Sequence, residues 1–286
     1  MSHQQDASQH VTQYPINPEN IAEIARLVKQ ARLISEQIGL LPAELDLSRF
    51  HRLLDIGCGP GEWTLHMARL YPHLQVQGID ISQTMIAYAR DSASYEGLSN
   101  VSFDVMDARA PLKLAEASLD LVHMRLATPF LTTSAWPQML QECFRLLRPG
   151  GIICSTEMEN MGTTTSAALA MCNHLGIEAY RAAGQCFSQH GDIYGITAVQ
   201  ARLLQQAGFK QLQQQVRLIN YSAGMPAHRV MYENWQAGLK LFQPFALRMG
   251  VTTQQELDIL YTRALSEMEQ EDFCAVVFFQ TTWGLK

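Results

Sequence analysis

The stretch RLLDIGCGPGEWTLHMARL, residues 52–70, decides the fold. A short apolar run, residues 52–57, ends in a glycine-rich turn, and residues 62–70 carry a helical pattern. Strand, glycine loop and helix in that order open a unit of the kind that builds parallel sheets. Gly57, Gly59 and Gly61 remove side chains where the strand turns, so ligand atoms can approach the backbone there. Amides at the start of the following helix face the same space and favour an electron-rich group. Asp55, just before the turn, is placed to hold the turn amides or the ammonium group of a ligand.

Outward from this unit the alternation continues. VQGIDI (residues 76–81) leads into the helical MIAYARDSA, and VSFDVMDA (101–108) follows a Ser-Asn turn. LDLVHM (119–124) is the fourth strand; then come a helix in PQMLQECFRLL, a turn at Arg148-Pro149-Gly150-Gly151, and the strand IICSTEME. Strands alternating with helices imply a sheet covered on both faces. Upstream, NPENIAEIARLVKQARLISEQI (17–38) has apolar residues at helical spacing after an Asn-Pro start. Downstream, residues 164–189 look helical, 196–207 form a helix stopped by Gly208, KQLQQQVRLINYS is a sixth strand and CAVVFFQTTWGLK a seventh.

The domain reading is a flexible leader at 1–16, an N-terminal helical segment at 17–50, an α/β core at 51–223 with a helical insertion at 160–190, a second helical insertion at 224–272, and a last core strand at 273–286. The N-terminal helix and both insertions are expected to cap the carboxyl ends of the strands, where open α/β sheets bind ligands.

Net charge is −6 with no basic block, which argues against nucleic-acid phosphates as partners. No apolar run approaches the twenty or so residues of a membrane span, and the start MSHQQDASQH has none of the regions of a secretory signal. The six cysteines include no CxxC pair and suit reduced thiols in a cytoplasmic setting. Histidines and cysteines do not fall into metal-ligand spacing, so metal independence is expected.

Asp80 ends the second strand, where a carboxylate can accept from both hydroxyls of a ribose or serve as a turn former. Asp107, after the third strand, could accept from an adenine amino group beside the Ala108 amide, or form an N-cap or Asx turn. Taken together, LDIGCGPG, GIDIS with Met85, FDVMDA, LDLVHMR and LLRPGG, in that order, resemble the class I S-adenosylmethionine-dependent methyltransferases over residues 53–157.

The resemblance implies a seven-stranded, mostly parallel, Rossmann-like α/β sheet with a reversed last hairpin, helices on both faces and S-adenosyl-L-methionine as cofactor. It implies the methionine part on Gly57, Cys58, Gly59 and Gly61, ribose on Asp80, and adenine near Ile81, Met85, Asp107 and Ala108. His123, just after the fourth strand, falls where that family lines the methyl-transfer site. The long insertion between the last two strands departs from the family and leaves the acceptor open.

The candidate bases are His123 by position and His228 in the cap, with His190, Glu157, Tyr14 and Tyr221 as further options; each has an ordinary structural alternative. Met225, Met231, Tyr232, Trp235, Phe242 and Phe245 in the cap suit a small apolar or aromatic acceptor, and equally suit helix packing. The rival readings are an NAD(P)-dependent oxidoreductase and a cofactor-binding protein without catalysis. Against the first, the loop reads Gly57-x-Gly59-x-x-Glu62 and lacks the third glycine that permits close helix packing.

Overall fold

The computed structural model describes residues 14–286. Its centre is β1 (Arg52–Ile56), exposed only at Arg52. On one side β1 pairs with β2 (Gln75–Asp80), and β2 with β3 (Val101–Val105). On the other it pairs with β4 (Leu119–Arg125), and β4 with β5 (Leu147–Met158). All four ladders are parallel. Then β8 (Ala275–Leu285) runs antiparallel beside β5, and β7 (Lys210–Asn220) pairs antiparallel with β8. The seven expected strands are thus all present, with β8 the reversed one. A two-residue β6 (Thr163–Thr164) is added against the start of β8.

Period-2 alternation sends neighbouring residues of one strand to opposite layers. Leu53 and Leu121 pack under α2 (Glu62–Leu70), with Trp63 and Met67. Leu54 and Val122 pack with Met139, Leu140, Ile196 and Leu204, from α4 (Trp136–Leu146) and α6 (Ile196–Ala207). Next to α2, α3 (Gln83–Tyr95) covers β3 through Ile86, Ala89 and Phe103. Covered on both faces, β4 is buried at every position before Arg125.

Several boundaries differ from the sequence reading for local reasons. The first helix, α1 (Ile21–Ile38), starts at Asn20, whose side chain caps Ala22, while Asn17 is spent on the amide of Glu19. β3 stops at Val105, short of residue 108, because Asp107 turns the chain by accepting from the Arg109 amide. The expected turn at Arg148-Pro149-Gly150-Gly151 is zipped onto the chain end: Gly150 donates to the Lys286 carbonyl and Lys286 to that of Gly151. α5 (Ala167–Ala182) ends well before residue 189, with Gly184 at φ 75 just beyond it.

Above the carboxyl ends of the strands, α1 and α5 pack with α7 (His228–Arg248) and α8 (Gln254–Met268). These helices share a core of their own, in which Leu33, Leu169, Met231, Leu260 and Ala264 meet Val277 and Phe279 of β8. Of the expected flexible leader, residues 1–13 lie outside the described residues. Residues 14–16 belong to the cap instead: Ile16 is buried, and the Tyr14 hydroxyl donates to Glu23 at 2.9 Å.

Glu23 is the fastening of this cap. It is fully buried and accepts from Arg26 Nε at 2.7 Å and Nη2 at 2.6 Å, while Arg26 Nη1 donates to Asn234 of α7 at 2.9 Å. Removing one member of a buried ion pair strands the other charge, which costs about 3–5 kcal/mol. Glu23→Ala is therefore expected to lower the unfolding free energy by about that amount, with Glu23→Leu plus Arg26→Met recovering most of it, as measured by urea denaturation. Wild-type stability in Glu23→Ala would show instead that α1 docks through its apolar face alone.

Candidate functional site

A cavity of about 290 Å³ lies between the carboxyl ends of β1, β2 and β4 and the helices α1, α5 and α7. The glycine loop forms part of its floor. Gly57 and Cys58 both donate to the Ile79 carbonyl, at 2.9 and 3.0 Å, and Gly59 donates to Asp80 Oδ2 at 2.9 Å. The other Asp80 oxygen accepts from the Ser82 amide at 2.9 Å. One carboxylate thus ties the loop after β1 to the start of α3. Burial raises the Asp80 carboxyl, with the backbone amides of Ser82, Gly59 and Ile81 opposing it.

Gly57, Cys58 and Gly59 line the cavity, and burial holds the Cys58 thiol well above its ordinary value. At Gly59 (φ 53) a β-carbon would meet nothing nearer than 3.7 Å, so the missing side chain leaves backbone open to a ligand. Gly61 differs from the expectation. It is not on the cavity wall; at φ 84 its missing β-carbon would stand 2.8 Å from the Phe103 ring and 2.9 Å from Ala89. Its role is to let the start of α2 pack against β3 and α3.

Ile81, Met85, Asp107 and Ala108 all reach the cavity, joined by Arg109, which the sequence reading missed. Asp107 makes the Asx turn weighed above: it accepts from the Arg109 amide at 2.9 Å and from that residue's guanidinium at 2.9 and 2.8 Å.

Asp55 is buried in the same wall but does not hold turn amides. It accepts from Thr64 Oγ1 at 2.6 Å and pairs with His123 Nδ1 at 2.8 Å. β4 runs on to Arg125, so His123 sits inside the strand, directly beside Asp55 in the ladder. Its ring stacks on the Trp63 indole at 3.6 Å and 3°, and Trp63 is anchored by its Nε1 to the Leu40 carbonyl. Burial lowers the His123 pKa despite the Asp55 partner, which keeps the ring neutral at pH 7 with Nδ1 donating.

His228 is a correction. Placed at the first turn of α7, it bonds the Met268 carbonyl at the end of α8 through Nε2 at 2.9 Å and rests against Phe273. It joins two cap helices and does not reach the cavity. His190 is exposed in a turn with Ser188, and Tyr221 is buried behind the wall. Tyr14 does line the cavity. Glu157 does not; it accepts from the Ala127 amide at 2.7 Å and the Thr128 hydroxyl at 2.8 Å, and so holds the loop after β4. That loop carries Leu126 at φ 57 and brings Pro129 and Phe130 to the cavity.

Of the cap residues, Met231, Trp235 and Phe242 line the cavity; Tyr232 and Phe245 are core, and Met225 is exposed. Among the described residues no group of three or more potential ligands could hold a metal ion, and no helix is long and apolar enough to cross a membrane.

Residues 53–151, the segment that builds the loop and β1 to the start of β5, match the family model of a methyltransferase domain. The chain is 32% identical over 151 residues to "Methyltransferase GfsG" of Streptomyces halstedii, covering 52% of each. It is 30% identical over 138 residues to "Phosphoethanolamine N-methyltransferase 1" of Triticum aestivum, covering 48% of this chain and 27% of that one. The chain thus spans about half the length of the first relative and about a quarter of the second. Among solved structures, phosphoethanolamine N-methyltransferase 2 of Haemonchus contortus, in complex with phosphomonomethylethanolamine and S-adenosylhomocysteine, is similar in fold. Its TM-score is 0.52 at 16% identity, covering 94% of this chain and 57% of that one. The match is to a methyltransferase domain and not to a nicotinamide-dependent one.

Trp63, Arg109 and Arg125 also line the cavity, and Thr64 reaches its wall through Asp55. Arg125 carried a sequence signal: two residues after His123 on a strand, it faces the same way.

Glu157 has a pH consequence. Burial pushes its carboxyl from 4.5 to about 7 in the fold, so the folded state favours the neutral form. Its contribution to stability is complete below about pH 4.5 and is lost as pH rises through about 7, a span worth up to about 3 kcal/mol. Relative to Glu157→Gln, the wild type should lose stability over that window in urea melts. A gap between the two proteins that does not change with pH would mean the carboxyl is already ionised in the fold.

Proposed function

We propose that this chain is an S-adenosylmethionine-dependent methyltransferase whose acceptor is a small molecule with an apolar or aromatic body. The observation that carries this is a single cavity with a nucleotide-like floor and an apolar roof. Gly59 backbone, Asp80 and the patch of Ile81, Met85 and Ala108 lie on one side, and Met231, Trp235 and Phe242 on the other. The residues fit the cofactor. After accepting from Gly59 and Ser82, each Asp80 oxygen keeps acceptor capacity for a ribose hydroxyl. The open backbone at Gly59 admits the methionine part, and Met85 and Ile81 offer faces to a flat base. Asp107 and Ala108 stand at the adenine edge.

When bound, the cofactor supplies a methyl group already activated on a sulfonium. What remains for the chain is to place the acceptor in line with it and exclude water. We assign Asp55 to the ligand ammonium and His123 to positioning: its Nδ1–H fixes the Asp55 carboxylate, and Trp63 fixes the ring. The fully buried Tyr194 hydroxyl, which has no hydrogen-bond partner among the described residues, stands on the wall where a polar atom of the acceptor can meet it. The name of the wheat relative, a phosphoethanolamine methyltransferase, supports a small acceptor. Six free thiols support a reducing cytoplasm, and the acidic balance supports no role for nucleic acid.

Calorimetric titration with S-adenosylmethionine, NAD and NADP tests this. S-adenosylmethionine should bind, and Asp80→Ala should weaken it by roughly tenfold or more, as expected for two lost hydrogen bonds to a buried carboxylate. Binding of a nicotinamide cofactor instead would sink the proposal. Binding without turnover across a panel of aromatic and amine acceptors would leave a cofactor-binding protein.

A further inference from the structure

Arg125 is an unneutralised cation in the cavity wall. Among the described residues, the other arginines that are not exposed all hold a carboxylate: Arg26 with Glu23, Arg109 with Asp107, Arg145 with Glu142 and Arg181 with Glu178. Arg125 has none within ion-pair distance; its one side-chain bond runs from Nη1 to the Ser35 hydroxyl of α1, at 3.2 Å. The acid whose charge reaches it, Asp55, is committed to Thr64 and His123. A small polar void bounded by Thr156, Gln215 and Thr281 adjoins it and offers dipoles but no negative charge. Burial lowers Arg125 to about 10, which still leaves it charged at neutral pH.

A half-buried arginine without a counter-ion is costly to the fold, and the cost is reduced when an anion enters. Arg125 lines the main cavity, on the same strand face as His123 and beside the wall that holds Asp55. We infer that Arg125 is an anion seat, receiving the carboxylate of a molecule bound in the main cavity through a charge-assisted contact. The inference rests on the proposed function for the origin of that carboxylate. One source is the amino-acid head of the cofactor, whose ammonium would lie on Asp55; the other is an acid group on the acceptor.

Calorimetry separates the sources. Wild type, Arg125→Gln and Arg125→Lys are titrated with S-adenosylhomocysteine, with methylthioadenosine, which has the nucleoside thioether but no amino-acid head, and with 3-phenylpropionate as an apolar acid. The carboxylate that uses this seat should lose at least tenfold in affinity in Arg125→Gln and regain part of it in Arg125→Lys, with methylthioadenosine unchanged throughout. Loss for S-adenosylhomocysteine alone assigns the seat to the cofactor; loss for phenylpropionate assigns it to the acceptor. Unchanged affinities in Arg125→Gln, or wild-type protein that binds neither acid, overturn the inference.

Wild type that binds phenylpropionate but no adenosyl ligand would defeat the proposed function and leave the seat standing if the Gln variant loses that acid. Melting curves provide the fold control. A ligand-free Arg125→Gln should melt at or above the wild-type temperature, because it sheds an unpaired, half-buried charge, whereas an arginine with a purely structural role would melt lower on replacement.

Discussion

The site depends on the Asp80 carboxylate, which stands at the carboxyl end of β2 and holds the Gly59 amide with one oxygen and the Ser82 amide with the other. A parallel sheet brings its strand ends to one side, but it does not by itself hold the loops there in a defined relation. Asp80 does so by joining the loop after β1 to the first turn of α3. Burial raises its carboxyl, and the backbone amides of Ser82, Gly59 and Ile81 oppose that rise. The same carboxylate that holds the loop also lines the cavity.

The second constraint is the roof. α1 and α7 are far apart in sequence, and the contact between them combines an apolar seam with the Glu23–Arg26–Asn234 network. A buried ion pair contributes little net stability, because desolvation offsets the attraction. It does specify register: only one rotation of α1 lets Glu23 meet Tyr14 and Arg26 while Arg26 meets Asn234. That rotation sends Leu27, Gln30 and Ile34 toward the cavity. The polar network orients the helix, and the apolar faces supply the affinity.

The sheet was largely legible because both of its signals are local. Apolar runs of strand length alternate with helical spacing, and LDIGCGPG marks the first turn. β3 and α5 were read too long because Asp107 and Gly184 end them through side-chain and backbone geometry that hydrophobic pattern does not record. On the floor of the site, Asp80, Met85 and Ala108 were readable from their positions after strands. The partners were not: Thr64, Trp63 and Arg109 act through contacts that depend on how a helix or turn folds back. His228 was placed in the site because the cap was known to be helical without its packing being known; an i,i+40 contact to Met268 leaves no trace in local sequence.

Gly61 shows how a correct motif can carry a wrong assignment. From sequence alone the loop glycines are all expected to face a ligand, and the glycine missing three positions after Gly59 departs from dinucleotide enzymes. In the fold, Gly61 itself provides the close approach that such a glycine supplies, set against Phe103 and Ala89. The need is the same in both cases, since a helix that starts directly after a strand must pass its neighbouring strand within a side chain's width. What differs is where along the turn the helix begins. Here it starts at Glu62, so the packing glycine comes immediately before the helix, and Gly59 is left as a point where backbone faces the cavity.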